Sequence, residues 1–186
     1  PCISRNSEQC VKAESVGKLL PGCEAKVVDG EIWVKSSSVM LGYYKNEEAT
    51  KETLVDGWLR TGDLGYVDED NFLYITGRKK NLIILSNGEN VSPEELENRI
   101  SEDPLVAEVL VYEEDGQITA EIYPNEEYAA KKRIKDVQAE LSARVDAMNR
   151  ALPMFKQVRR IKLRETEFEK TTSRKIKRHY GTASSK

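Results

Sequence analysis

The amino-acid sequence predicts an α+β fold in two segments, on three observations. Apolar residues make up 39% of the 186 positions and charged residues 33%, which is enough apolar surface for a packed core and too much for a disordered chain. Residues 17–76 read as short alternating strands separated by turn signals. After Gly77 the texture changes to strands alternating with helical patterns, so residues 78–186 read as a compact unit of short sheets flanked by helices. The expected division is therefore 1–77, β-rich, and 78–186, α+β.

The elements follow in order. Residues 1–16 are polar, without periodicity, and open at Pro1 with no Met, from which we expect a chain cut from something longer. Glu24 to Val28 and Glu31 to Lys35 flank Asp29-Gly30, a hairpin turn pair because both residues tolerate positive φ. Asn46 can cap a short helix running to about Val55. Trp58 to Arg60, Leu64 to Val67 and Phe72 to Ile75 read as strands, the last two joined by Asp68-Glu69-Asp70-Asn71. Leu82 to Leu85 is a short buried strand and Ser86 to Asn90 a loop. Ser92-Pro93-Glu94-Glu95 opens a helix, with Ser at the N-cap, Pro at N1 and Glu at N3, and the helix stops before Pro104. Val106 to Tyr112 and Gln117 to Tyr123 pair around Asp115-Gly116. One long helix is expected from about Glu126 to Pro153, with the stripe Ile134, Val137, Leu141, Val145, Met148, Leu152. Val158 to Leu163 is a last strand, Arg164 to Ser173 a loop, and Lys175 to Tyr180 a short basic helix.

Composition excludes several function classes. No apolar run is longer than four residues, as at Leu82 to Leu85, far short of the roughly 20 residues a bilayer needs. No basic-then-apolar leader opens the chain. Cys2, Cys10 and Cys23 have no metal-type spacing and one His, His179, to join them, so reduced thiols in the cytoplasm are expected and no metal site is. The net charge of −3 is uneven: residues 1–125 carry −12 and residues 126–186 carry +9. Such a tail could meet nucleic acid or phosphate, or be a solvated basic face.

Four segments carry chemistry: Trp58-Leu59-Arg60-Thr61-Gly62-Asp63-Leu64-Gly65, Gly77-Arg78-Lys79-Lys80, Asn87 to Glu97, and Lys170-Thr171-Thr172-Ser173-Arg174-Lys175-Ile176-Lys177. Each recurs widely alone. In this order, and with Gly42-Tyr43-Tyr44 and Glu47-Glu48-Ala49-Thr50 ahead of them, the chain resembles the acyl-adenylate-forming superfamily of acyl-CoA synthetases, peptide-synthetase adenylation domains and luciferases. The resemblance covers about residues 17–180. It implies a small C-terminal lid domain, 78–186, preceded by a β-rich remnant of the large N-terminal domain. It also implies the family's reaction, in which a carboxylate and ATP give an acyl-adenylate and pyrophosphate before transfer to a thiol.

The resemblance assigns roles residue by residue. Asp63 matches the aspartate that binds the nucleotide ribose, where a carboxylate can accept from both hydroxyls of the diol. Alone it would read as a turn Asp after Gly62. Arg78 matches the arginine that reaches the same ribose, for which a planar fork of donors is suited. Lys80 falls on the hinge position, about which the small domain rotates between half-reactions. Gly88 lies in the loop that swings in for thiol transfer, where glycine permits close approach of a pantetheine arm; the alternative is a simple turn glycine. Ser92 to Glu97 read as helix capping. Lys175 matches the near-terminal catalytic lysine, an ammonium that stabilises charge on the α-phosphate and leaving pyrophosphate. Here the chain departs from the family: many relatives have Ser-Gly-Lys, and this chain has Ser173-Arg174-Lys175, an ending most like long-chain acyl-CoA ligases.

The expected function is the C-terminal portion of an ATP-dependent, AMP-forming acyl-CoA ligase acting on a long-chain fatty acid, with ATP and Mg2+ as cofactors and CoA as co-substrate. The phosphate loop, acyl pocket and acidic metal-binding residue would lie upstream of Pro1, in the N-terminal domain that is its expected partner, so the fragment alone is expected to be inactive. Peripheral contact with a membrane stays open. One alternative is an adenylation domain loading a carrier-protein pantetheine, which the end of the chain 11 residues past Lys175 disfavours. The other is a non-enzymatic nucleic-acid module, which would need aromatics among the tail's charges, and only Phe168 and Tyr180 follow Phe155.

Overall fold

The computed structural model describes residues 2–8 and 10–178. The chain divides into two compact units, Pro1–Asn81 and Leu82–Lys186. Each has its own core.

The first unit is an antiparallel sheet. Its strands are β1 (Ser4–Arg5), β2 (Gly17–Leu19), β3 (Glu24–Val28), β4 (Glu31–Lys35), β5 (Leu54–Val55), β6 (Trp58–Val67) and β7 (Phe72–Arg78), with one helix, α1 (Glu47–Thr53). The order is β1-β2-β7-β6-β4-β3, and β5 pairs with β6. The β3–β4 hairpin turns at Asp29-Gly30, with φ of 50° and 78°, as the sequence predicts. Asn46 caps α1 by accepting from the Ala49 amide. The helix stops at Thr53, before the expected Val55, because Leu54 and Val55 pair with Leu59 and Trp58 across a second Asp-Gly turn, Asp56-Gly57. Ile32, Val34 and Leu73 form the core, with Ile3, Ala25, Leu59 and Val67 packed against them.

The expected strands Trp58–Arg60 and Leu64–Val67 are one strand, β6, and the Thr61-Gly62-Asp63 segment lies inside it. It is not regular there. Glu31 pairs with Leu64 and Trp33 with Arg60, so β6 advances four residues while β4 advances two. On the other side Leu64 pairs with Gly77 and Gly65 with Ile75, so β7 carries one extra residue, Thr76. Such bulges bend a strand and re-aim side chains. β7 runs on through Arg78, and a 3-10 turn, Lys79–Asn81, closes the unit.

The second unit opens with a small pair, β8 (Ile83–Ile84) and β9 (Asn90–Val91), and then α2 (Pro93–Ser101). Pro93 begins α2 as expected. Ser92 does not cap it with its side chain; its hydroxyl donates to Glu94 instead. β10 (Val106–Glu114) and β11 (Gln117–Pro124) form an antiparallel hairpin, and β12 (Arg160–Leu163) joins β11 in parallel. The expected single long helix is two, α3 (Glu126–Lys132) and α4 (Val137–Asn149). Arg133 takes a left-handed conformation and caps α3. Asp136 then accepts from the Ala139 amide to start α4. The apolar stripe survives the break: Leu141, Val145 and Leu152 are buried, and Ile134, Val137 and Met148 pack against the same core.

That core lies on one face of the three-stranded sheet. Val109, Val111, Ile118, Ala120 and Ile122 meet Leu96 and Ile100 of α2, Ala129 of α3, and Leu141 and Val145 of α4. The period of two puts Leu110 and Tyr112 on the opposite face, where Phe168 of the tail covers them. Part of the charge asymmetry of the sequence is paired off inside this unit. Arg144 bonds Asp103, Lys156 bonds Glu95, Arg160 and Lys162 bond Glu114, and Arg164 bonds Glu121. The short basic helix expected from Lys175 is not seen in residues 175–178, where Ile176 instead bridges to Lys170 in antiparallel fashion. The rest of it, through Tyr180, lies outside the described residues.

Gly65 tests the double bulge. A Cβ there would stand 1.9 Å from the Tyr74 carbonyl oxygen and 2.7 Å from Ile32 Cδ1. Neither backbone nor core can yield that space, so Gly65→Ala is expected to cost at least about 2 kcal/mol. Denaturant unfolding of this chain measures it; an unchanged midpoint would show that β6 and β7 do not approach as described.

Candidate functional site

The distorted middle of β6 presents the first pair of predicted site residues. Asp63 is the cross-strand partner of Arg78, and Arg78 Nε lies 2.7 Å from Asp63 Oδ1. Two residues read from separate motifs thus stand side by side. Asp63 is about four-fifths buried and Arg78 about half exposed. The pair offers a carboxylate acceptor next to a fork of donors, the combination that can grip a vicinal diol.

What aims Asp63 is a set of bonds that replace the sheet ladder. The Thr61 hydroxyl donates to the Ile32 carbonyl at 2.6 Å and accepts from the Asp63 amide at 3.0 Å. The Gly62 amide, where φ is 71°, donates to Glu31 Oε1 at 3.1 Å. Glu31 is 3% exposed. Its other oxygen accepts from Lys79 Nζ at 3.0 Å and lies 3.5 Å from the Arg60 guanidinium. Burial by itself would push this carboxyl up. The Lys79 bond, the Gly62 amide and the charges of Lys79 and Arg60 together outweigh it, and Glu31 sits below the ordinary glutamate range. Sequence reasoning passed over Glu31: a Glu at the head of the strand Glu31-Ile32-Trp33-Val34 looks like a solvent-facing residue, and only the bulge opposite it creates the amide it serves.

The other predicted residues are placed separately. Lys80 is exposed, in the 3-10 turn Lys79–Asn81 at the end of the first unit. Gly88, Ser92 to Glu97 and Lys175 belong to the second unit. Gly88 donates to the Leu85 carbonyl at 2.9 Å, and the Leu85 amide donates to the Glu89 carbonyl at 3.0 Å, so residues 85–89 close a tight turn between β8 and β9. Gly88 has a φ of 83°, and a Cβ there would meet nothing within 4 Å. The demand for glycine visible here is the left-handed backbone.

Lys175 is exposed on a short hairpin. The Thr171 amide donates to the Lys175 carbonyl at 2.8 Å, and the Lys175 amide donates to the Thr171 hydroxyl at 3.2 Å. Arg174 has a φ of 61°. The arginine that stands where many relatives have glycine thus adopts a conformation that glycine holds at less cost. Among the described residues no group of three or more His, Cys, Asp or Glu could hold a metal ion, and Cys2, Cys10 and Cys23 are unbridged. None of the described helices is long and apolar enough to cross a membrane.

Comparison with known proteins finds similarity to CoA ligases. A long-chain-fatty-acid–CoA ligase of Mycobacterium tuberculosis is 47% identical over 102 residues, 54% of this chain and 17% of that protein. A 2-succinylbenzoate–CoA ligase of Bacillus cytotoxicus is 45% identical over 117 residues, 58% of this chain and 24% of that protein. The chain therefore spans less than a quarter of these relatives. Among solved structures, the o-succinylbenzoate CoA synthetase of Bacillus subtilis, in complex with its acyl-adenylate intermediate, matches 89% of this chain and 34% of its own, with a TM-score of 0.72 and 32% identity. An anthranilate CoA ligase with anthranoyl-AMP matches 92% of this chain and 34% of its own, with a TM-score of 0.75 and 28% identity.

The ion pairs around Glu31 give a pH signature. A carboxyl held below its unfolded value contributes stability above that value and loses it as pH falls through the lowered one. Glu31→Gln keeps an acceptor for Gly62 but drops the charge facing Lys79 and Arg60. At neutral pH it is expected to cost roughly 1–2 kcal/mol. The gap between variant and wild type is expected to close as pH falls from about 6 to about 3. Denaturant unfolding at several pH values checks this; a gap that is constant with pH would mean that Glu31 is not buried as an ion.

The family model for the AMP-binding enzyme C-terminal domain matches residues 80–183, more than half of the sequence, and the chain belongs to that family, within the acyl-adenylate-forming superfamily.

Proposed function

We propose that this chain supplies the ribose clamp and the mobile lid of a longer, AMP-forming acyl-CoA ligase that activates a long-chain fatty acid and passes it to CoA. The observation that carries the reading is the Asp63–Arg78 pair at 2.7 Å. The reaction joins two anions, MgATP and a carboxylate. Asp63 and Arg78 would fix the nucleotide by its ribose, so that the reacting phosphate is held without freedom to wander. Lys175 would place an ammonium where charge builds up on the α-phosphate and the departing pyrophosphate, and stabilise it in a site shielded from water. Magnesium would enter with ATP as part of the substrate.

Lys175 and the Gly88 turn belong to one unit and the ribose pair to the other. This supports an alternation in which the second unit turns about Lys80, bringing Lys175 to the nucleotide for adenylation and the Gly88 turn to the thiol for transfer. Lys80 itself is exposed in that turn, as suits a hinge position. The fatty-acid assignment is supported by the Lys170-Thr171-Thr172-Ser173-Arg174-Lys175-Ile176-Lys177 ending and by the mycobacterial relative. The succinylbenzoate and anthranilate relatives make an aryl acid the second reading. The thiols, three and unbridged, fit a reducing cytoplasm.

The test separates the half-reactions. In the full-length protein Lys175→Ala is expected to slow adenylation by a few powers of ten, equivalent to roughly 3–4 kcal/mol. Thioester formation from supplied acyl-adenylate and CoA is expected to stay near wild type, and the exposed lysine to leave folding unchanged. Pyrophosphate release is read against fatty acids, 2-succinylbenzoate and anthranilate, with CoA and a carrier pantetheine as acceptors. This chain by itself is expected to release none. Equal loss in both half-reactions, or in neither, would remove Lys175 from the adenylation step.

A further inference from the structure

The hairpin that carries Lys175 is not held by its own bonds alone. We infer that Glu97 and Glu108 are positioning residues for Lys175, each carboxylate gripping one arm of the hairpin formed around the Lys170–Ile176 bridge. The inference rests on the reading of Lys175 given above.

On the incoming arm, Glu108 of β10 accepts from the Phe168 amide at 2.8 Å and from the Lys170 ammonium. Glu167 adds a second carboxylate to Lys170 at 2.9 Å. Phe168 is buried against Leu110 and Tyr112, with the Arg164 guanidinium over its ring at 4.4 Å. On the outgoing arm, Glu97 of α2 accepts from Arg178 at 2.5 Å. Its other oxygen accepts from the Val111 amide at 2.8 Å, and Arg178 donates back to the Val111 carbonyl at 3.3 Å. Glu94 stands 3.5 Å from the same guanidinium. Ile176 of the outgoing arm packs against the Phe168 cluster.

Three features mark these as more than surface pairs. Both carboxylates are well shielded, with side chains 15% and 12% exposed. Each is bonded to a backbone amide as well as to a cation, and bonds to a charged acceptor are about twice as strong as neutral ones. Together they bracket the loop, from Phe168 to Arg178, while Lys175 itself stays exposed at the tip. A long flexible ammonium on a loose loop would visit many positions. One on a loop fixed at both ends is pre-placed, and preorganisation is where electrostatic catalysis gains its effect. Burial pushes the Glu97 carboxyl up, against the pull of the Val111 amide and Arg178.

The experiment uses Glu97→Gln and Glu108→Gln, which keep an oxygen for the Val111 and Phe168 amides and lose the charge. In this chain, amide exchange at Thr171 and Lys175 is expected to quicken about tenfold in each variant, with exchange in β10 and β11 unchanged. Unchanged loop exchange in both variants would overturn the inference. In the full-length protein each variant is expected to slow adenylation about tenfold, in kcat and not in the KM for ATP, and to leave thiol transfer from supplied acyl-adenylate alone. Arg178→Lys is expected to recover part of what Arg178→Ala loses. If Lys175→Ala slows adenylation and both Gln variants run at the wild-type rate, the positioning role is wrong and the lysine assignment stands. If Lys175→Ala has no effect while loop exchange quickens as expected, the staples are real and it is the lysine assignment that falls.

Discussion

A carboxylate with almost no exposed surface governs the first unit. Glu31 is ionised inside a β-sheet, which is unfavourable unless its charge and lone pairs are answered. Lys79 and Arg60 answer the charge, and the Gly62 amide takes one oxygen. That last bond has a consequence. The Gly62 amide would otherwise be an unpaired donor in a strand, so Glu31 is what allows β6 to leave the ladder at Thr61-Gly62-Asp63. The bulge of β7 at Thr76 then brings Arg78 opposite Asp63. A regular sheet would place Arg78 one residue away, on the other face.

The second unit solves a related problem by a different means. Its lysine lies on a short hairpin whose arms pack Phe168 and Ile176 against Leu110 and Tyr112. Charge adds to that anchor: the basic tail finds the acidic residues of α2 and β10, so part of the polarity that divides the sequence is neutralised within one unit. Eight of the sixteen Lys and Arg among the described residues 126–178 are in ion pairs, so the unpaired basic surface is about half of what the tail's composition suggests. The same pairing accounts for Arg174 holding a left-handed φ, since anchored arms fix the turn between them.

Much of this was legible in the sequence, and the exceptions have physical causes. Asp29-Gly30 and Asp115-Gly116 were readable because a positive φ at two positions leaves a short list of residues. Asp56-Gly57 carries the same signal, but a helix predicted to run to about Val55 leaves no strand before it to turn. The break between α3 and α4 was hidden by an apolar stripe that continues across it; Asp136, an N-cap residue in mid-pattern, was the available sign. Asp63 and Arg78 were found as motif residues, but their contact depends on two bulges, which leave no periodic trace. Glu31, Glu97 and Glu108 look like any surface acid, since burial and partners are properties of the folded chain. The helix expected at Lys175 failed because the arms of the loop pair with each other, a long-range choice that local propensity does not register.

In the proposed function, Asp63, set by Glu31 and paired with Arg78, reads the ribose diol. A double-mutant cycle on the full-length protein, with the ligand as one of the two changes, tests it most directly. Adenylation rates are compared for ATP and 2′,3′-dideoxy-ATP, in wild type and in Asp63→Ala. Loss of the diol is expected to cost wild type about tenfold to a hundredfold, the worth of hydrogen bonds to a charged acceptor, and to cost Asp63→Ala almost nothing further. Equal penalties in both proteins would contradict the account, because the diol would then be read by something other than Asp63.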